Sequence, residues 1–282
     1  MISNKNNHTF CINAKQLEIQ RVNDIKWMMC ENCSLIYSLS VSEKKKQLKY
    51  EQFDKFGEVS MTGINEFKSI IEILKRYTKL DNLTLFDFGC GDGSFLKIAE
   101  SNFKDVFGLE PNKFLRERSL EKKIKIIDEK IFETKSFNYD VLFTRNTFPF
   151  VENFSESLNK LIDSLTPDGY FIWRDKFWDF FPKKYSDAVF SNTFSSLPIK
   201  STIKHYLKIN GIELLVSRFY FDDSFLIIGR KTHAIEYKSL NKISFLKKIF
   251  VNSIFFCSFI SILRSLLNKV YVSLRSIKNL IQ

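Results

Sequence analysis

Leu85-Phe-Asp-Phe-Gly-Cys-Gly-Asp-Gly-Ser-Phe95 (LFDFGCGDGSF) carries three of the chain's nine glycines within five positions. LTLFDFG (83–89) is strand-like and SFLKIAESNF (94–103) helix-like, so the glycines fall on a strand-to-helix turn. Without Cβ atoms, Gly89, Gly91 and Gly93 can take positive φ and let a ligand lie against backbone. The first N–H groups of the helix that follows lack intrahelical partners, so a small anionic or polar ligand is expected on this turn. The same alternation continues outward. DVFGLEP (105–111), IKIID (124–128), YDVLFTRN (139–146) and GYFIWRD (169–175) read as strands. Between them, FLRERSLEKK (114–123), FSESLNKLIDSL (154–165) and IKSTIKHYLKING (199–211) read as helices, the last ending at Gly211. IELLVSRFYF (212–221) and SFLIIGRK (224–231) close the series, near enough to form a hairpin. The fold class is therefore α/β: a mostly parallel sheet with helices on both faces, and an antiparallel edge supplied by the hairpin.

Spacing narrows the ligand. A dinucleotide turn reads G-x-G-x-x-G, whereas this one reads D-x-G-x-G-x-G, with Asp87 inside the strand. The first acid at the end of the next strand is Glu110, placed to accept both hydroxyls of a ribose. Asp87 would face an ammonium group, which S-adenosylmethionine (SAM) has and a dinucleotide lacks. SAM fits this pattern better than NAD.

Taken together, the motifs resemble those of class I SAM-dependent methyltransferases, from about Tyr50 to Lys231. FDFGCGDG is similar to the family's first signature, GLEP to its ribose-binding acid, YDVLFTRNTFPFVEN to the fourth strand and its loop, and LTPDGYFIW to the turn into strand five. The resemblance implies a Rossmann-like sheet in which Asp87, Gly89, Gly91 and Gly93 hold the methionine part, with Cys90 contributing through its backbone. Glu110, followed by Pro111, would hold the ribose; Asp128 or Glu129 would lie near the adenine, and Arg145 and Asn146 would line the methyl-transfer pocket.

Ahead of this region, His8-x2-Cys11 and Cys30-x2-Cys33 are separated by eighteen residues. Two short knuckles with two ligands each match the arithmetic of a zinc ribbon, and zinc would explain how a segment with so few core residues folds. A small Cys-rich module before a SAM domain is similar to the sugar C-methyltransferases and related polysaccharide-cluster enzymes. That resemblance implies a sugar or glycan precursor as acceptor, nucleotide- or lipid-linked, and CENCSLIYS resembles the second knuckle and its strand. Pro149 and Phe150 stand where many relatives carry Glu-His, which removes the usual general base. Asp175, after strand five, and more distantly His205 remain as candidates. The aromatics of WRDKFWDFFPKKY (173–185) wall an acceptor or pack a core; both readings are open.

The net charge is +11, but eight Lys/Arg against the single Glu236 fall in residues 233–282, leaving +4 for the rest. Four regions result: a zinc-ribbon-like module (1–45), a helical connector (46–80) with FKSIIEILKRY at helical spacing, the SAM domain (81–232) and a basic tail (233–282). In the tail, Phe256, Ile260, Leu263, Leu267, Val270, Leu274, Ile277 and Ile281 form one apolar helical stripe. It suits the inner membrane surface, a second copy in a homodimer, or the chain's own domain. The N-terminus has no apolar secretory core, so a cytoplasmic protein is expected, with membrane association through the tail. Alternatives are an RNA-binding protein or RNA methyltransferase gripping through ribbon and tail, and a SAM-binding protein without catalysis. The near charge balance of the body argues against nucleic acid.

Overall fold

The computed structural model describes residues 15–22, 25–31, 33, 35–39, 61–128, 137–151, 153–176, 195–197, 200–220 and 224–232. His8, Cys11, Glu129, the aromatic stretch after Lys176 and the 233–282 tail lie outside the described residues.

The described chain opens with β1 (Gln16–Val22), β2 (Ile25–Cys30) and β3 (Ile36–Ser38), paired antiparallel in that order. Ile25, Trp27 and Met29 alternate along β2 and are buried, the period-two pattern that makes this stretch a strand. A tight turn follows, closed by the Cys30 N–H donating to the Leu35 carbonyl at 2.9 Å, and it holds Cys30 and Cys33.

Helix α1 (Met61–Leu74) buries Phe67, Ile70, Ile71 and Leu74 on one stripe, as their spacing requires. The remaining elements are β4 (Thr84–Phe88), α2 (Ser94–Ala99), β5 (Asp105–Leu109), α3 (Lys113–Glu121), β6 (Lys125–Ile126), β7 (Tyr139–Arg145), a 3-10 turn (Phe148–Phe150) and α4 (Phe154–Ser164). They continue with β8 (Leu165–Lys176), β9 (Ser196–Leu197), α5 (Lys200–Ile209), β10 (Ile212–Phe219) and β11 (Ser224–Lys231).

Seven strands form the main sheet in the order β10-β11-β8-β7-β4-β5-β6. Its central strands are apolar on both faces because both are covered: Phe86, Leu142 and Phe171 enter one core cluster, Leu85, Val141 and Ile172 the other. The hairpin supplies the antiparallel edge that the sequence leads one to expect: β10 is the edge strand, and β11 lies between β8 and β10, antiparallel to both. The crossover through α5 sets β10 down one strand-width beyond β8, and the hairpin folds β11 back into the gap.

The small sheet is completed from far along the chain. β9 pairs with β3, Ile36 opposite Leu197, and the Ser38 N–H donates to the Ser195 carbonyl at 3.0 Å. The Ser195 N–H in turn donates to the Pro149 carbonyl at 2.7 Å, in the 3-10 turn after β7. Cys30, Cys33, Leu35 and Tyr37 pack in the same core cluster as Phe148, Trp173, Tyr206 and Phe225. The N-terminal sheet therefore shares the core of the larger domain. Among the described residues, no helix is long and apolar enough to cross a membrane.

Candidate active site

The carboxyl ends of β4, β5, β7 and β8 lie side by side at one edge of the sheet, where a doubly wound fold binds its ligands. Gly89, Gly91 and Gly93 have φ of 80°, 58° and 74°, the left-handed region that the turn from β4 to α2 requires. Gly91 faces open space: a Cβ there would meet no atom within 4 Å.

The turn's N–H groups do not serve an anion. Gly89 and Cys90 both donate to the Leu109 carbonyl, at 2.9 and 3.1 Å, and Gly93 donates to the Cys90 carbonyl at 3.0 Å. Gly91 donates to Glu110 Oε2 at 2.9 Å, and Ser94 to Asp92 Oδ1 at 3.2 Å. These amides are already bonded within the chain, so of the anionic or polar ligand expected on this turn the polar one is favoured. What the turn offers a ligand is negative charge.

Asp87 is 2% exposed, and its Oδ1 has no hydrogen-bond partner among the described residues. Burial pushes its carboxyl well above the ordinary range, the nearby Glu110 carboxylate adds to the effect, and Arg145 opposes it. Such a group is relieved by a cation. Glu110 is fixed by two backbone amides, Gly91 N–H on Oε2 and Asn112 N–H on Oε1, both at 2.9 Å. Asn112 then caps α3 through the Leu115 N–H at 2.9 Å, tying the acid, Pro111 and the helix into one unit. The donor set fits SAM: a buried carboxylate for the ammonium, an open glycine, and a held acid for the ribose.

This sheet order, with β11 antiparallel inside it, occurs together with a residue pattern over 63–215 that matches the family described as Methyltransferase domain. The chain belongs to that family. It carries a methyltransferase domain. A relative 27% identical over 104 residues is the malonyl-[acyl-carrier protein] O-methyltransferase of Calditerrivibrio nitroreducens; the match covers 36% of this chain and 41% of that one, well short of its length. Two solved structures share the fold. A Galdieria sulphuraria protein described as a sarcosine dimethylglycine methyltransferase aligns with a TM-score of 0.54 at 12% identity, over 66% of this chain and 92% of that one. A chain from the complex of the Haloferax volcanii Trm112 methyltransferase activator with a methyltransferase aligns at 0.51 and 14% identity, over 69% and 100%.

Around the methyltransferase's glycine turn, supporting contacts come from α3. Ser119 is fully buried and donates to the Gly91 carbonyl at 2.9 Å. Lys122 Nζ reaches Asp92 Oδ2 at 2.6 Å and Ser94 Oγ at 2.8 Å. Burial alone would raise Asp92, but these bonds hold it below its ordinary range. Cys90 packs against Gly108, where a Cβ would stand 2.7 Å from its sulfur. Burial, then the Asp87 and Glu110 charges, push the Cys90 thiol well up, so it stays neutral and is no nucleophile.

Arg145 ends β7, and Asn146 follows at φ 53° with its N–H on the Arg174 carbonyl at 3.0 Å. Asp175 is 1% exposed, so it is not a surface charge; its Oδ2 accepts the Trp173 indole N–H at 3.3 Å. Trp173 is itself fully buried, which decides its own reading in favour of core packing. Asp128 follows β6 and is exposed. His205 falls within α5, and its side chain lies outside the described residues.

The cysteine turn shows one knuckle only. Cys33 Sγ accepts the Tyr206 O–H at 2.9 Å, and Tyr206 belongs to α5. Cys30, Cys33 and Tyr37 share one buried cluster, and burial, then both cysteines, push the Tyr37 hydroxyl up to about 12. Among the described residues, no three His, Cys, Asp or Glu side chains gather as a metal site.

Two residues at this edge, Glu66 and Arg174, escape the sequence reading. Glu66 of α1 bonds Arg145 Nη2 through Oε2 at 3.2 Å and Arg174 Nε through Oε1 at 2.5 Å. The signal was present: one strand ends Arg-Asn and its neighbour Arg-Asp, at matching positions.

Proposed function

We propose that this methyltransferase binds SAM on the glycine turn and methylates a sugar or glycan precursor, nucleotide- or lipid-linked. The carrying observation is the buried Asp87 carboxylate with its unpartnered Oδ1, beside an open Gly91 and a pre-oriented Glu110. Bound there, SAM supplies a methyl group activated by sulfonium charge. Asp87 takes the ammonium, Glu110 turns its remaining lone pairs to the ribose hydroxyls, and Asp128 or Glu129 serves the adenine. Arg145 and Asn146 wall the acceptor's side of the edge, together with the 3-10 turn to which Ser195 is bonded. The chain's contribution to the step is alignment of the acceptor in line with the methyl group and exclusion of water.

An alcohol or enolisable carbon must also lose a proton. Asp175 ends the correct strand and is dry, which supports it over His205 as the base. The sugar reading is supported by the resemblance of the cysteine knuckle and by the N-terminal sheet lying against the loop after β7. In the same reading, His8 and Cys11 join Cys30 and Cys33 around zinc; elemental analysis of purified protein checks this, one zinc per chain supporting it. A carboxyl acceptor is the second reading, favoured by the malonyl-[acyl-carrier protein] O-methyltransferase relative. It needs no base.

The test is transfer of labelled methyl from SAM to a panel of nucleotide sugars and to malonyl-acyl carrier protein. Label in a sugar, abolished by Asp175→Asn, supports the first reading. Label in the malonyl carboxyl overturns it in favour of the second.

A further inference from the structure

Arg145 and Arg174 are direct cross-strand partners at the carboxyl ends of the parallel strands β7 and β8. Like charges set opposite each other in a ladder repel. Here they share one counter-ion: the two oxygens of Glu66 divide between them, one to each guanidinium. The side chains are only partly exposed, 31% for Arg145, 13% for Arg174 and 26% for Glu66, so water screens the surplus charge incompletely. Each guanidinium is also held from the side, Arg145 over the Phe67 ring at 5.1 Å and Arg174 over the Tyr220 ring at 5.3 Å. Two planar donors are thus held side by side, with one carboxylate bridging them, beside the residues read above as the cofactor's. A carboxylate across a pair of arginine forks has the form of an oxyanion ligand.

The geometry points to Arg145 and Arg174 as the binding site for an oxyanion on the acceptor, with Glu66 as the internal counter-ion that the acceptor displaces. This rests on the methyl-transfer reading and adds the acceptor's chemical class: it bears a phosphate or a carboxylate close to the methylated atom. The α1 helix, through Glu66, then reports whether the acceptor is seated.

The experiment is calorimetric titration of the full chain, at low salt, with inorganic pyrophosphate and with malonate, SAM being titrated in parallel. Glu66→Gln keeps a hydrogen-bonding group but removes the competing charge. It is expected to bind one of the two probes about tenfold more tightly than the wild type, and Glu66→Gln/Arg174→Gln to lose that gain. Preference for pyrophosphate identifies a phosphate-bearing acceptor, and preference for malonate a carboxylate one. No gain for either probe in a folded Glu66→Gln chain overturns the assignment, as does a double variant that binds like Glu66→Gln. Should Glu66→Gln not fold, Arg174→Lys decides: it must bind whichever probe the wild type prefers more weakly than the wild type does, because it keeps the charge but not the fork. Wild-type protein that ignores SAM contradicts the methyl-transfer reading, while the arginine result stands or falls on its own arms.

Discussion

The glycine turn and the cysteine turn are both short, polar-ended loops after a buried strand, yet they are held in opposite ways. Around Gly91, the partners come from neighbouring segments of the parallel sheet: Glu110 is nineteen residues away and Ser119 twenty-eight. Around Cys33, the partners come from the far end of the domain: Tyr206 is 173 residues away, and Ser195 lies 157 residues from Ser38. A site built from successive βα units is written locally. A sheet whose last strand is β9 and whose core is that of another region depends on the whole chain being folded.

The sharpest way to break this comparison is Gly91→Arg. Its Cβ meets no atom, so the fold survives with a backbone penalty of about 1 kcal/mol at this positive φ. The long side chain would fill the open space on the turn, next to Glu110, and SAM affinity is expected to fall by about a hundredfold or more, read by calorimetry. If affinity is kept, the open face of Gly91 is not where the cofactor lies.

Next comes Leu35→Ala. Leu35 is fully buried in the cluster shared with Trp173 and Tyr206, and its truncation should cost about 2–5 kcal/mol. Calorimetric melting should show the whole described unit losing stability in one shifted transition. A separate early transition, with the main one unmoved, would mean that the N-terminal sheet folds on its own.

Asp87→Asn tests the charge argument. The raised carboxyl keeps its proton in the folded chain above its ordinary value of 3.8, where the unfolded chain has lost it. Stability of the ligand-free protein therefore falls as pH rises through that window, and SAM affinity, which needs the carboxylate, rises through it. The variant should melt higher at neutral pH, bind SAM about tenfold more weakly, and lose the pH dependence of binding. Equal binding by the variant, with the pH dependence unchanged, would remove Asp87 from the site.

Smallest is Ser119→Ala, which removes the buried O–H that holds the Gly91 carbonyl. The expected loss is about 1 kcal/mol of stability by denaturant melting, with a weaker KM for SAM and kcat little changed. An effect on kcat alone would contradict a role in shaping the turn.

Most of the main sheet was legible because its strands and helices alternate in apolar period and its turns carry glycine. The site acids were legible for the same reason: Asp87 and Glu110 sit at strand ends, where side chains must face the edge. Four things were not. A two-residue strand such as Ser196–Leu197 has no periodicity to detect, so the fourth strand of the small sheet could not be read. The position of β11 depends on where α5 sets down β10, which is a property of packing. The turn's N–H groups look free in sequence, and only the paired geometry of Leu109 and Glu110 shows that they are taken. Glu66 was hidden because its role depends on Arg145 and Arg174 being neighbours in register.

The central claim is that the glycine turn is a site for a cation-bearing nucleoside and not for a dinucleotide. It is tested most directly by calorimetric titration of the purified chain with SAM and with NAD, for the wild type and Glu110→Ala. Wild-type protein is expected to bind SAM and not NAD, and Glu110→Ala, still folded, to lose SAM. A folded wild type that binds NAD in preference, or a Glu110→Ala chain that binds SAM as tightly as the wild type, would contradict it.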